Sequence, residues 1–295
     1  MPARRILIQT TIPHIQDDWH VGRFSRLTDY LAGLKGPDGA ALYEVTARNR
    51  AQAGAPDPVL SQMDHQGFDQ LWLFAVDVGD GLTADECAAI SRFRAAGGGL
   101  MVTRDHQDLG SSVCTLGGVG KAHFFHSKNP EPDAARHRRD DIGAMDIDWP
   151  NYHSGANGDV QEIRIEGPLH PLLTGEDGAP LPFLPAHPHE GAVGAPADEP
   201  SARVIATGVS QTTGARFNLV VAFEPQADGP DAGTGAAVAQ STFHHFCDYN
   251  WDPRAGCPSF VSEAPTDRIL TDPRGLASTQ AYVRNLAAWL GGPAR

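Results

Sequence analysis

The chain has 295 residues, 41% of them apolar, which is enough to bury a sizeable core within one α/β domain spanning 1–295. Its 23 Lys and Arg against 36 Asp and Glu leave a formal charge of −13, which argues against a nucleic-acid partner, because phosphate-backbone binding relies on clustered basic residues. The basic opening is followed by an apolar run too short for a signal-peptide core, and no window approaches the roughly 18 apolar residues of a membrane span, so a cytoplasmic protein with no membrane partner is expected.

Apolar runs of strand length alternate with helical patterns along the first hundred residues. Ile6–Ile8 reads as a strand, Val21–Leu34 as a helix, Leu42–Thr46 and Leu71–Val76 as strands, Thr83–Ala96 as a helix and Leu100–Thr103 as a strand. The Thr83–Ala96 segment carries the clearest signals: Thr83 and Glu86 form a capping box, Cys87, Ile90 and Phe93 keep helical spacing, and Gly97–Gly99 ends it. Strand alternating with helix implies right-handed crossovers and a mostly parallel sheet.

From Gly110 to Asp159 the apolar periodicity gives way to Gly, His, Asp, Asn and Pro, including His123, His126, His137, Asp140, Asp141 and His153. A loop of that length in a compact domain is functional or disordered, and the aromatic stretch around Trp149 and Tyr152 favours an ordered lid over the carboxyl-end crevice. Regular structure resumes with strands Val160–Ile165, Ala202–Thr207, Phe217–Phe223 and Ala236–Thr242 and a closing helix Ala277–Leu290. The Pro- and Gly-rich stretches Glu176–Pro200 and Pro225–Gly235 read as surface connections.

The order of these segments resembles the trehalose-utilisation (ThuA-like) branch of the class I glutamine-amidotransferase-like superfamily. The pieces that carry the resemblance are Phe68-Asp-Gln-Leu-Trp-Leu-Phe74, Phe93-x-x-x-Gly97-Gly-Gly-Leu-Met-Val102, Gly167-Pro-Leu-His-Pro-Leu-Leu-Thr-Gly175, the run from Gly233 to His245, and Tyr282 to Gly291 in the last helix. The resemblance implies a flavodoxin-like, doubly wound sheet flanked by helices, and a sugar-derived or related polar metabolite as ligand. It also marks a departure. Amidotransferases of this superfamily place a nucleophilic cysteine at the turn after the Gly-Gly-Gly strand, whereas here the turn is Arg104-Asp105-His106 and Cys114 lies eight residues beyond His106. Cysteine-dependent glutamine hydrolysis is therefore disfavoured.

The four cysteines form no C-x-x-C pair, so thiolate metal ligation is not implied. Gly117-Gly-Val-Gly-Lys121 lacks the remaining elements of a phosphate loop, and no nucleotide cofactor is indicated. What remains is an excess of histidine and carboxylate near the expected crevice. Asp105 and His106 sit where a buried strand emerges, the place where open α/β sheets bind ligands. Catalytic roles fall to Asp105, His106 and His153; substrate contacts to Arg104, Tyr152, Asn250 and Trp251; and divalent-metal ligation to His187, His189, His244, His245 and Asp248.

His187 and His189, two apart in extended chain, point the same way, whereas His244 and His245 diverge if they lie on a strand, so that one at most enters the site. Imidazoles with one carboxylate suit zinc, iron or manganese, and activated water makes hydrolysis the default reaction. Plainer readings compete: a rigid Pro-flanked surface loop for His187 and His189, a helix cap for Asp105 with a structural His106, and a turn residue for His153. At the level of the whole chain the alternative is a non-catalytic, carbohydrate-like binding protein on the same scaffold, and a homo-oligomer is compatible with either.

Overall fold

The computed structural model describes residues 2–138, 140, 144–226 and 232–292. In chain order the strands are β1 (Arg4–Thr10), β2 (Tyr43–Arg48), β3 (Gln70–Phe74), β4 (Gly99–Thr103), β5 (His123–Phe124), β6 (Val160–Glu162), β7 (Arg164–Ile165), β8 (Phe183–Pro185), β9 (Ala192–Val193), β10 (Ala202–Val209), β11 (Arg216–Phe223) and β12 (Ala237–Gln240). The α-helices are α1 (Ser25–Gly33), α2 (Ala84–Ala95), α3 (Asp248–Trp251), α4 (Arg268–Thr271) and α5 (Gly275–Leu290). Eight strands form one sheet in the order β2-β1-β3-β4-β12-β11-β10-β7, while β5 pairs with β9 and β6 with β8.

The first five strands of that order are parallel, and β11, β10 and β7 complete the sheet by antiparallel pairing. The short Ser210–Ala215 connection dictates part of this change, because so few residues can join only antiparallel neighbours. The central strands are buried on both faces, so alternate residues enter different cores. On one face Ile6, Ile8, Trp72, Phe74 and Met101 pack with Leu27 and Leu31 of α1 and Tyr282, Val283 and Leu286 of α5. On the other, Leu7, Leu71, Leu73, Leu100 and Val102 pack with Cys87, Ile90 and Phe93 of α2. This is a flavodoxin-like α/β architecture.

The Thr83–Glu86 capping box is present at the start of α2. Other elements depart from their sequence reading. The segment from Val21 begins as a 3₁₀ turn, Val21–Phe24, and becomes α-helical only at Ser25, where the Asp248 carboxylate accepts from the Ser25 and Arg26 backbone N–H groups. The single strand read over Val160–Ile165 divides at Ile163, whose N–H donates to Pro182 O; β6 then pairs with β8, and β7 lies at the edge of the large sheet. The stretch Glu176–Pro200 is not merely a surface connection. It contains β8 and β9, and His187, His189 and Glu190 between them are buried. No helix among the described residues is long and apolar enough to cross a membrane.

Candidate functional site

At the carboxyl end of β4 the chain leaves the sheet at Thr103, beside Gln240 at the end of β12. Arg104 O accepts from Phe243 N at 2.8 Å, and Asp105 Oδ1 accepts from the Thr242 hydroxyl at 2.9 Å, so the exits of the two central strands are tied together. The loop between β8 and β9 crosses these exits at Gly191. A Cβ there would lie 2.4 Å from Asp105 O and 2.6 Å from Ser241 O, so only glycine allows the approach that brings His187 to Asp105.

Three donors converge at this crossing. His187 Nε2 is 3.6 Å from Asp105 Oδ1 and His244 Nε2 is 3.7 Å from Asp105 Oδ2, and one ligand atom from each residue lies within 4.8 Å of the others. Two donors each about 2.1 Å from one tetrahedral ion are about 3.4 Å apart, so the spacing is that of a metal ligand set. The imidazoles stack with centroids 3.5 Å apart and planes 9° from parallel. Phe243 stacks on His244 at 4.3 Å, and Trp19 meets its edge at 4.7 Å.

The far nitrogens fix the tautomers. His187 Nδ1 is 3.0 Å from Asn157 Oδ1, and His244 Nδ1 is 2.8 Å from Asn250 Oδ1. The assignment is self-consistent, because Asn250 Nδ2 donates to Asn157 Oδ1 at 2.9 Å and to Ala186 O at 2.8 Å. Each imidazole therefore donates its Nδ1 proton to an amide oxygen and turns an Nε2 lone pair towards the carboxylate. Burial and the surrounding imidazoles hold His187 well below the ordinary histidine range. Burial likewise lowers His244, with His187 adding to it and Asp105 opposing. Both are neutral imidazoles at pH 7, the protonation state that can bind a metal.

His106 Nε2 stands 3.6 Å from Asp105 Oδ2, its side chain 24% exposed against 3% for that of Asp105, so it is the open edge of the cluster. Burial lowers its pKa despite the neighbouring carboxylate. His189 lies with its ring centroid 5.6 Å from that of His106 and 5.7 Å from that of His187. Its nitrogens meet Asn151 Oδ1 at 3.1 Å and Glu263 Oε1 at 2.7 Å. His153 is close enough to depress His187 electrostatically.

Other residues nominated from sequence are placed differently. Asp248 does not face the cluster: both its oxygens are taken by the amino end of α1, Oδ2 by Ser25 N–H and Oγ–H, Oδ1 by Arg26 N–H. The His244–His245 pair lies on a 3₁₀ turn, not a strand, and His245 enters a separate buried network, with Nδ1 3.0 Å from Gln240 Nε2 and Nε2 3.4 Å from Glu190 Oε2. Arg104 is fully buried over the Phe125 ring at 4.2 Å, and its Nη2 bonds Gln107 O, so it braces the elbow instead of meeting a ligand from solvent. Burial brings its pKa down to about 9.

Trp251 donates to His245 O at 2.9 Å from within the core, Tyr152 stacks on Phe217 at 4.6 Å, and Asn250 orients His244. His123 lies on β5, and His126 Nδ1 is 3.2 Å from Trp149 O. Asp141 lies outside the described residues. Cys114 sits in the turn Ser111–Thr115, its pKa raised by burial.

The sequence reading missed Asn157, Glu190, Thr242 and Glu263. Asn157 falls in Gly155-Ala-Asn-Gly158, whose turn composition conceals an amide turned inward. Glu190 accepts from Ser154 Oγ, Gln161 Nε2 and Ser241 Oγ and so anchors the histidine loop. Nothing in the linear pattern marks either residue.

Fold and site together define a flavodoxin-like α/β protein with a buried His/Asp cluster at the carboxyl end of its parallel strands. Solved structures similar to this chain include a thua-like protein from Parabacteroides merdae, at 13% identity and TM-score 0.49, covering 99% of this chain and 91% of that one. They also include the glutaminase domain of Trypanosoma brucei CTPS, at 12% identity and TM-score 0.46, covering 96% and 94% respectively. No family model and no curated protein matches the sequence.

Proposed function

We propose that the protein is a metal-assisted small-molecule enzyme in which Asp105, His187 and His244 hold one divalent cation, zinc, iron or manganese, and that it performs a hydrolysis-type reaction on a sugar-derived or other polar metabolite. The observation that carries this reading is the pair of Nε2 lone pairs facing one carboxylate at 3.6 and 3.7 Å, with both Nδ1 protons committed elsewhere. Neutral imidazoles aimed in this way at a carboxylate gain nothing from it unless a cation lies between them. A bound ion would supply an activated water and a positive charge opposite a developing anion.

The chain's own contributions surround that centre. Asn157 and Asn250 set the ligand tautomers, Thr242 holds Asp105, and His106, neutral and at the exposed edge, takes or gives a proton. The ligand set consists of nitrogen and oxygen donors, which suits all three metals named. Metal analysis of untagged protein beside Asp105→Asn and His244→Ala variants tests the reading: near-stoichiometric metal lost in both supports it, and metal-free wild-type protein sinks it. The depth of the donors favours one rival, a non-catalytic metabolite-binding protein, since His187 and His244 are only 4% and 2% exposed. Ligand binding without turnover by the metal-loaded protein would select that rival.

A further inference from the structure

Residues 256–267 contain no helix or strand and lead from the α3 region to α4. This strap is tied down on both sides of Glu263. Ser259 binds Asp17 through its N–H at 2.7 Å and through its hydroxyl, and Thr266 N donates to Asn157 O at 2.8 Å. Between the ties Glu263 extends its carboxylate to His189 Nε2 at 2.7 Å. The two partners differ in access: the Glu263 side chain is 36% exposed and that of His189 is 6% exposed. The carboxylate thus reaches a recessed N–H from the solvent side.

We propose that His189 is a carboxylate-recognition position and that Glu263 is its resident occupant, displaced by a short hydroxy- or oxo-carboxylate whose other end reaches the Asp105, His187 and His244 centre. The inference deepens the metal-site reading and rests on it. Distance sets the size of the ligand. The His189 ring lies 5.7 Å from that of His187 and 5.6 Å from that of His106. Rings this close call for a ligand of only a few carbons, such as a three-carbon hydroxy acid, whose bonds of about 1.5 Å place its terminal oxygens about 4 to 5 Å apart.

Chemistry sets its charge. A histidine N–H already satisfied by a carboxylate offers a second carboxylate an even exchange, whereas a neutral hydroxyl would give up a charge-assisted hydrogen bond. Asn151 Oδ1, 3.1 Å from Nδ1, keeps the ring oriented while the occupant changes.

Calorimetric titration with glycerate and with glycerol, its uncharged counterpart, tests the proposal on wild-type protein, Glu263→Gln and His189→Gln, as purified and after chelation. Glu263→Gln removes the competing carboxylate and should tighten glycerate about tenfold, and His189→Gln should weaken it about tenfold, the scale of one charge-assisted hydrogen bond. Glycerol should respond to neither substitution. Weaker glycerate binding by Glu263→Gln, equal shifts for both ligands, or no glycerate binding by any form would overturn the proposal and leave Glu263 as a strap anchor. Glu263 is partly exposed, so its variant remains informative if His189→Gln fails to fold. The two readings fail separately: metal-free protein that keeps the expected glycerate ranking loses only the metal centre, and metal-replete protein without that ranking loses only the carboxylate position.

Discussion

His187 and His244 lie face to face, centroids 3.5 Å apart, although 57 positions separate them in the chain, and each hands its Nδ1 proton to a different asparagine of one hydrogen-bonded pair. The stack is more than packing, because it fixes two lone pairs in nearly the same direction.

If the proposed cation binds there, the asparagine pair should control its affinity without touching it. Asn250→Ala is expected to lower affinity about 10- to 100-fold, the usual cost of losing a group that orients a ligand. Competition with a chromophoric chelator measures this. Unchanged affinity in Asn250→Ala and Asn157→Ala would show that the tautomers are set by other contacts.

Gly191 makes a second, geometric prediction. A methyl group there meets Asp105 O at 2.4 Å and Ser241 O at 2.6 Å, both backbone atoms that cannot rotate away. Gly191→Ala should cost about 1–3 kcal/mol in stability, as overpacking usually does, and should displace the elbow enough to reduce metal content as well. Urea unfolding and metal analysis of the same preparation check both halves.

Acid stability follows from His123. It is fully buried on β5, and its pKa falls to about 3 through burial, with Arg104 adding to the effect. An unfolded histidine titrates near 6.5, so the unfolded chain binds more protons below that pH and stability falls as pH drops from about 6.5 towards 3. Each unit should cost about 1.4 kcal/mol for this one group. His123→Leu should flatten that part of the stability curve, measured as urea midpoints from pH 7 to 4, and a variant with the wild-type slope would assign the acid sensitivity to other groups.

Thiol chemistry should be irrelevant to function. Burial raises the pKa of Cys87, Cys114 and Cys247, and none of them is one of the three convergent donors, although Cys247 Sγ donates to Asn250 Oδ1 at 3.0 Å beside His244. Cys114→Ser is expected to keep metal content and ligand binding within about twofold, since a thiol whose pKa is raised stays protonated and unreactive. Loss of ligand binding in Cys114→Ser would reopen a thiol-based mechanism.

The linear pattern contained the sheet's central strands, because β1, β3 and β4 are buried on both faces and must read as apolar runs, and it contained α2, whose cap and period are local. It also placed Asp105 and His106 at a strand exit and nominated His187 and His244, since chemistry-bearing residues at such exits stand out in an apolar background. Tertiary structure alone decided which nominees meet. His244 and His245 are adjacent and chemically identical, yet one faces Asp105 and the other Glu190, because a 3₁₀ turn after β12 rotates them apart. Asp248 looked like a ligand and proved to be the carboxylate at the start of α1, a partner 223 positions away. Local propensity is written in neighbouring residues, but convergence depends on long-range hydrogen bonds and on one glycine, Gly191, that lets two loops touch.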